Sequence, residues 1–229
     1  MKLLDDGGYS AVLFDLDGTL IDTAPDMVAV LQDMQSDHGH SPVDYELGRS
    51  YVSNGAVGLL RLGFPDADDE RVEALRPEYL SRYLDRVSDA SALFPGLDKL
   101  VDTLDSHARP WGVVTNKPRH LTEPLMLALG LLDRAACCVS GDTLPQRKPD
   151  PAPLHHACTI AGLDAATAIY VGDSARDIQA GRAAGMITIA AAYGYVTPDD
   201  DAEAWGADLI ARDTAELAKL VLKAVNLGA

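Results

Sequence analysis

Apolar residues along this chain come in short unbroken runs, separated by stretches with a helical repeat. Ala11-Val12-Leu13-Phe14 stops abruptly at Asp15; it is too short for a helix and continuous in the manner of a strand buried on both faces. Runs of the same kind recur at Trp111 to Val114, Cys137 to Val139, Ala168 to Val171, Thr188 to Ala192, and Leu209-Ile210. Between them, Leu97, Leu100, Val101 and Leu104 fall on one helix face, and Leu121 to Leu129 and Leu154 to Ile160 are compatible with the same repeat. Asp213 and Glu216 form a capping pair ahead of Leu217, Leu220 and Val221. Strand and helix therefore alternate from about Leu93 onward, which predicts an α/β fold: a Rossmann-like parallel sheet with helices on both faces.

Residues 22–88 break this alternation. They contain four amphipathic stretches and no convincing strand: one behind a capping pair formed by Thr23 and Asp26, a second at about Asp44 to Val52, a third after Asn54, and a fourth carrying Val72, Leu75, Tyr79 and Tyr83. The pattern predicts a small all-helical cap at 22–88, inserted after the first strand into a core made of 1–21 and 89–229. The crossings are expected at Leu20-Ile21 and Leu93 to Pro95.

Composition narrows the partners. The 229 residues carry 35 acidic and 19 basic side chains, a formal charge of −16. With no run of Lys and Arg, the chain is not expected to bind nucleic acid or an anionic membrane surface. Cys137, Cys138 and Cys158 form no CxxC pair, the N-terminus has no apolar segment of the signal-peptide kind, and no window approaches a membrane span. A reduced, cytoplasmic setting is the expectation, and nothing in the sequence prescribes an oligomeric state.

Four polar groups fall on loops after strands, where ligands bind in an open α/β sheet. Asp15 and Asp17 follow the first strand, Thr115-Asn116 the second, and Gly172-Asp173-Ser174 the strand at 168–171; Lys148, expected to open the next helix, reaches the same crevice. Asp15, Asp17 and Asp173 crowded together would repel one another unless a cation sits among them, and hard oxygen ligands point to Mg²⁺. Lys148 and the Thr115 hydroxyl supply an anion-binding half suited to phosphate. Asp15 can then attack phosphorus while Asp17 protonates the leaving oxygen and later activates water. A calcium loop fails in both registers, because Leu20 stands where its glycine is needed and Ala24 where its glutamate is needed. P-loop and serine-hydrolase motifs are absent.

Phe14-Asp15-Leu16-Asp17-Gly18-Thr19-Leu20, Val114-Thr115-Asn116-Lys117, Lys148-Pro149, and Val171-Gly172-Asp173-Ser174-Ala175-Arg176-Asp177 resemble the four motifs of the haloacid dehalogenase-like hydrolases. The resemblance covers essentially the whole chain. It implies a phosphoaspartyl intermediate, with Asp15 as nucleophile, Asp17 as acid and base, Thr115 and Asn116 as phosphate binders, and Lys148 as charge stabiliser. It further implies Mg²⁺ held by Asp173, Asp15 and the Asp17 carbonyl, with Asp177 and Ser174 in support. A carboxylate at Asp17 favours an alkoxide leaving group, hence a phosphomonoester. Hydrolysis is favoured over transfer to a sugar hydroxyl, the phosphomutase alternative. A binding or regulatory protein that had lost the chemistry would lack one of these groups, and none is missing.

Substrate choice is expected in the cap, which admits a small phosphorylated metabolite. The candidate specificity loop is 49–56, where Arg49 could bind a carboxylate, Asn54 could cap the next helix, and Gly55 permits close approach. In pattern this loop, with Trp111 to Pro118 and Tyr193-Gly194-Tyr195, resembles the bacterial phosphoglycolate phosphatases, which makes a 2-phosphoglycolate type of substrate the first expectation. Trp205-Gly206-Ala207-Asp208 resembles the related N-acetylmuramic acid 6-phosphate phosphatases of cell-wall recycling, the alternative.

Overall fold

The computed structural model describes residues 8–227. Six parallel strands form the central sheet, in the spatial order β5 (Cys138–Val139), β4 (Trp111–Val114), β1 (Ala11–Phe14), β6 (Ala168–Gly172), β7 (Ile187–Ala191), β8 (Leu209–Ala211). Every β1 side chain is buried, as its unbroken apolar run requires. Val12 and Phe14 join one apolar cluster and Leu13 the other, so both faces of the sheet are covered. The chain winds outward from β1 through β4 to β5, then returns to the other side of β1 at β6. The loops leaving β1 and β6 therefore part in opposite directions, and a crevice opens between their carboxyl ends.

Helices α5 (Leu97–Ser106), α6 (Arg119–Ala128), α7 (Ala152–Ala161) and α9 (Thr214–Ala224) follow the predicted repeats. Asp213 accepts from the Glu216 amide while Glu216 accepts from that of Arg212. The sequence pattern did not reveal α8 (Ala175–Ala183): its buried face is Asp177, Ile178, Ala180 and Gly181, too small and too polar to make a stripe. Close packing explains the choice, since a Cβ on Gly181 would lie 2.6 Å from Thr188 Cγ2 of β7.

The helical insert consists of α1 (Ala24–Asp37), α2 (Tyr45–Ser50), α3 (Gly55–Gly63) and α4 (Asp69–Leu84), a cap of helices after the first strand. It is framed by two short strands, β2 (Ile21–Asp22) and β3 (Ala92–Leu93), paired antiparallel. The Tyr79 hydroxyl donates to the Met27 carbonyl and Gln35 Nε2 to that of Gly63, so polar bonds tie α4 and α3 to α1 inside an apolar cluster.

Two local expectations are corrected. Thr23 and Asp26 do not form a capping pair: Thr23 Oγ1 donates to Asp17 Oδ1 at 2.7 Å, and Asp26 accepts from the Ala90 and Ser91 amides and the Ser91 hydroxyl. Tertiary partners outbid the local bond because Asp26 is 4% exposed and faces the returning chain. Nor does Lys148 open α7, which begins at Ala152; Lys148 lies in the connection before it.

Candidate active site

Asp15, Asp173 and Asp177 converge at the crevice, each offering a carboxylate oxygen within 4.8 Å of the others, and all three are buried. Asp15 is fixed by its own amide, which donates to the Val171 carbonyl of β6 at 2.8 Å. Asp173 Oδ2 accepts from the Tyr195 amide at 2.9 Å and the Ser53 hydroxyl at 2.7 Å, and Thr19 Oγ1 points at Oδ1 from 3.4 Å. Asp177 accepts from Ser174 Oγ. Two glycines make room: Gly18, at φ +81°, would place a Cβ 2.0 Å from Asp173 Oδ2, and Gly194 would place one 2.3 Å from Asp173 Cβ.

Lys148 Nζ is wholly buried among four oxygens: Asp15 Oδ1 at 2.8 Å, Asp177 Oδ1 at 2.7 Å, the Val114 carbonyl at 2.9 Å and the Tyr170 hydroxyl at 2.7 Å. An ammonium has three N–H groups for these four acceptors. Asp15 Oδ1 is the one left without an aligned donor despite its short distance. Asn116 holds the loop that carries Lys148, its Nδ2 donating to the Lys148 carbonyl and its Oδ1 accepting from the Lys148 amide.

Burial pushes the Asp173 carboxyl up to about 7, helped by the negative charges of Asp15 and Asp177 and opposed by the bonds from Ser53 and Tyr195. Burial likewise pushes Asp15 up to about 6 against the pull of Lys148. Burial alone would lower the Lys148 ammonium, but Asp15 and Asp177 outweigh it and raise it. Three buried carboxylates against a single lysine, with Asp15 Oδ1 orphaned, make an all-oxygen donor set short of positive charge, which fits a hard divalent cation.

Asp17 stands apart from this trio. Its Oδ1 accepts from Lys117 Nζ at 2.8 Å and from Thr23, while Lys117 also donates to the Tyr83 hydroxyl of α4. The Thr115 hydroxyl accepts from the Lys117 amide, leaving its own proton to donate. Asp15, Asp17, Thr115 and Asn116 line a cavity of about 260 Å³ that runs between the sheet edge and the helical insert. Ser53 and Asn54, just before α3, and Gly55, its first residue, reach it, with Met27, Val52, Val57, Leu80 and Leu121 as apolar wall.

The 49–56 loop differs from expectation in detail. Arg49 is not among the cavity's lining; its Nη1 pairs with Asp22 Oδ1 at 2.6 Å and its guanidinium lies over the rings of Tyr195 and Phe94. The Asn54 side chain makes no cap bond, although Asn54 stands at the N-cap position of α3, whose first residue, Gly55, has φ +66°. Trp205 and Asp208 are structural, bonding Asp200 and the Thr188 amide and hydroxyl. Sequence reasoning missed Lys117, Tyr170 and Ser53; a lysine beside the Thr-Asn pair was the only visible hint.

A carboxylate cluster at the carboxyl edge of a parallel sheet, under a helical cap and beside a buried lysine, defines a capped α/β hydrolase. The chain belongs to the haloacid dehalogenase-like hydrolases, whose family model matches residues 12–191. It is 43% identical over 212 residues to the N-acetylmuramic acid 6-phosphate phosphatase of Pseudomonas putida, covering 92% of this chain and 95% of the relative. It is 42% identical over 207 residues to the phosphoglycolate phosphatase of Xanthomonas campestris, covering 90% and 94%. Among solved structures it resembles a predicted phosphoglycolate phosphatase from Haemophilus somnus, with a TM-score of 0.81, 25% identity, and 93% and 98% of the two chains covered. The chain is an enzyme of this family, a phosphoric monoester hydrolase. No helix among the described residues is long and apolar enough to cross a membrane.

Proposed function

We propose that the protein hydrolyses the phosphomonoester of a small carboxylate-bearing sugar, of the N-acetylmuramic acid 6-phosphate type, through a phosphoaspartyl intermediate. The observation that carries this choice is the cavity, whose apolar wall of Met27, Val52, Val57, Leu80 and Leu121 extends from Asp15 to α4. A two-carbon glycolate has no body to cover such a wall, whereas a sugar with acetyl and lactyl methyl groups does. The Pseudomonas putida relative agrees with this reading. The Xanthomonas campestris relative, at nearly the same identity, supports 2-phosphoglycolate as the second reading.

In this reading residues 22–88 act as the cap and 1–21 with 89–229 as the core. An Asp15 oxygen attacks phosphorus as the ester P–O bond breaks, and Asp17 delivers a proton to the departing alkoxide. Water then attacks phosphorus, Asp17 takes its proton, and inorganic phosphate leaves with Asp15 restored. Thr115 donates its free hydroxyl proton to a phosphate oxygen, and Lys148, clamped by Asn116, balances the charge beside Asp15. Asp15, Asp173 and the Asp17 carbonyl, with Asp177 alongside, would hold Mg²⁺, which would supply positive charge beside the phosphoryl oxygens. Ser53 and the apolar wall exclude water from above. The free thiols of Cys137, Cys138 and Cys158 suit a reducing compartment, the cytoplasm.

The test is phosphate release with Mg²⁺ across N-acetylmuramic acid 6-phosphate, 2-phosphoglycolate, hexose phosphates and nucleoside monophosphates. The muramic ester should give the highest kcat/KM; a panel led by a hexose phosphate or nucleotide sinks the reading.

A further inference from the structure

In a chain with 35 acidic side chains, most of the arginines that form ion pairs do so at the surface, as Arg61, Arg134 and Arg212 show. The catalytic cavity is different. Lys117, Arg76, Arg147 and Arg176 line it against only two carboxylates, Asp15 and Asp17. An excess of positive charge along the cavity of so acidic a protein marks the place where an anion is held.

The four cations are not equally available. Lys117 is taken up by Asp17 and Tyr83. Arg76 pairs with Glu73 at 3.3 Å, one turn earlier on α4, and Arg176 donates to the Ser53 carbonyl. Arg147 accepts from the Asp150 amide through its carbonyl, but its exposed side chain has no hydrogen bond or ion pair among the described residues. It is also the residue next to Lys148, whose amide and carbonyl are both clamped by Asn116. Its backbone is therefore held in fixed relation to the charge beside Asp15, while its guanidinium, with five donors in a planar fork, is uncommitted.

We infer that Arg147 binds the second anionic group of the substrate, a carboxylate, while the phosphoryl group lies at Asp15. This rests on the carboxylate-bearing phosphomonoester reading and adds the residue that reads the acid. Discrimination then comes from the core loop that carries Lys148, not from Arg49, which the Asp22 carboxylate already occupies. Arg76 and Arg176 keep the surrounding potential positive without making the contact.

Matched ester pairs test it: N-acetylmuramic acid 6-phosphate against N-acetylglucosamine 6-phosphate, and 2-phosphoglycolate against 2-hydroxyethyl phosphate. The glycolate pair differs only at the carboxylate and the muramic pair by the whole lactyl group, so the readout is how the ratio of kcat/KM within each pair changes on substitution of Arg147. Wild type should prefer the acid in at least one pair, and Arg147→Gln should lower that ratio about tenfold or more, the loss of a charged hydrogen bond, mainly through KM. Arg147→Lys should recover part of it, since charge returns without the fork. Arg212→Gln, outside the cavity, should leave the ratio as in wild type and so controls for net charge.

An unchanged ratio in Arg147→Gln, in a variant that melts like wild type, overturns the inference and leaves the substrate reading standing. Preference for the glycolate pair alone, still lowered by Arg147→Gln, overturns the muramic reading and supports the role of Arg147. A wild type with no preference in either pair overturns both.

Discussion

Removing divalent cations should make this protein more stable in mild acid than in mild base, and the active-site carboxylates set the size of the effect. Asp173 moves from an ordinary 3.8 to about 7 on folding, and Asp15 from 3.8 to about 6. Between roughly pH 4 and 7 the folded protein therefore binds protons that the unfolded chain has released. Stability is present at the acid end of that window and is lost as pH rises through it. At 1.36 kcal/mol per pH unit, the Asp173 shift alone is worth about 4 kcal/mol. Urea unfolding in EDTA from pH 5 to 8 measures this, with Asp173→Asn as the comparison, because the amide fills the same space and cannot ionise. Asp173→Asn should be more stable than wild type by several kcal/mol at pH 8, and the gap should close toward pH 5. Saturating Mg²⁺ should shrink the gap at pH 8, since wild type gains the free energy of binding and the variant loses a ligand. A gap that is flat with pH, or that widens toward acid, refutes the reasoning.

Other perturbations read individual contacts. Asp15→Asn should retain the fold and release phosphate at below about a thousandth of the wild-type rate; circular dichroism and a phosphate assay decide it, and a normal rate removes Asp15 as nucleophile. Gly18→Ala should cost about 2 kcal/mol or more, because it combines a left-handed backbone with a Cβ driven 2.0 Å from Asp173 Oδ2; it should also raise the Mg²⁺ needed for half-maximal activity, and a wild-type Mg²⁺ requirement contradicts the packing argument. Arg49→Gln should lower stability by about 1 kcal/mol through the lost Asp22 pair and ring contacts and should affect all phosphoesters alike; a loss confined to carboxylate-bearing esters would return Arg49 to the role of substrate ligand.

The parts of the fold legible in the sequence are those where one local signal suffices. Four-residue apolar runs such as Ala11–Phe14 can be little other than buried parallel strands, and a polar residue directly after each such run marks the sheet edge. What stayed hidden depends on long-range choices. Lys117 could have faced solvent, and only the arrival of Asp17 and the α4 residue Tyr83 gives it a role. Tyr170 reads as one more apolar strand residue, yet its hydroxyl accepts from Lys148. Thr23 and Asp26 have the spacing of a cap, but Thr23 donates to Asp17 on the far side of β2, and Asp26 binds Ala90 and Ser91 where the chain returns. Arg49 has the chemistry of a carboxylate ligand, and the carboxylate it binds is Asp22 of the same chain.

The pairing of Asp22 with Ala92 also bears on how the molecule is put together. At that rung the outgoing and returning strands are a single hydrogen-bond spacing apart, about 5 Å, the separation that a two-residue reverse turn can bridge. From below, the whole helical insert thus occupies the place of a hairpin loop, and the sheet is indifferent to how many residues hang from it. Folds with such a socket can exchange one crown for another, or carry none, without moving a strand. The apolar wall that covers a substrate's body can therefore change with the insert, while the hydrolytic centre and Arg147 stay with the core.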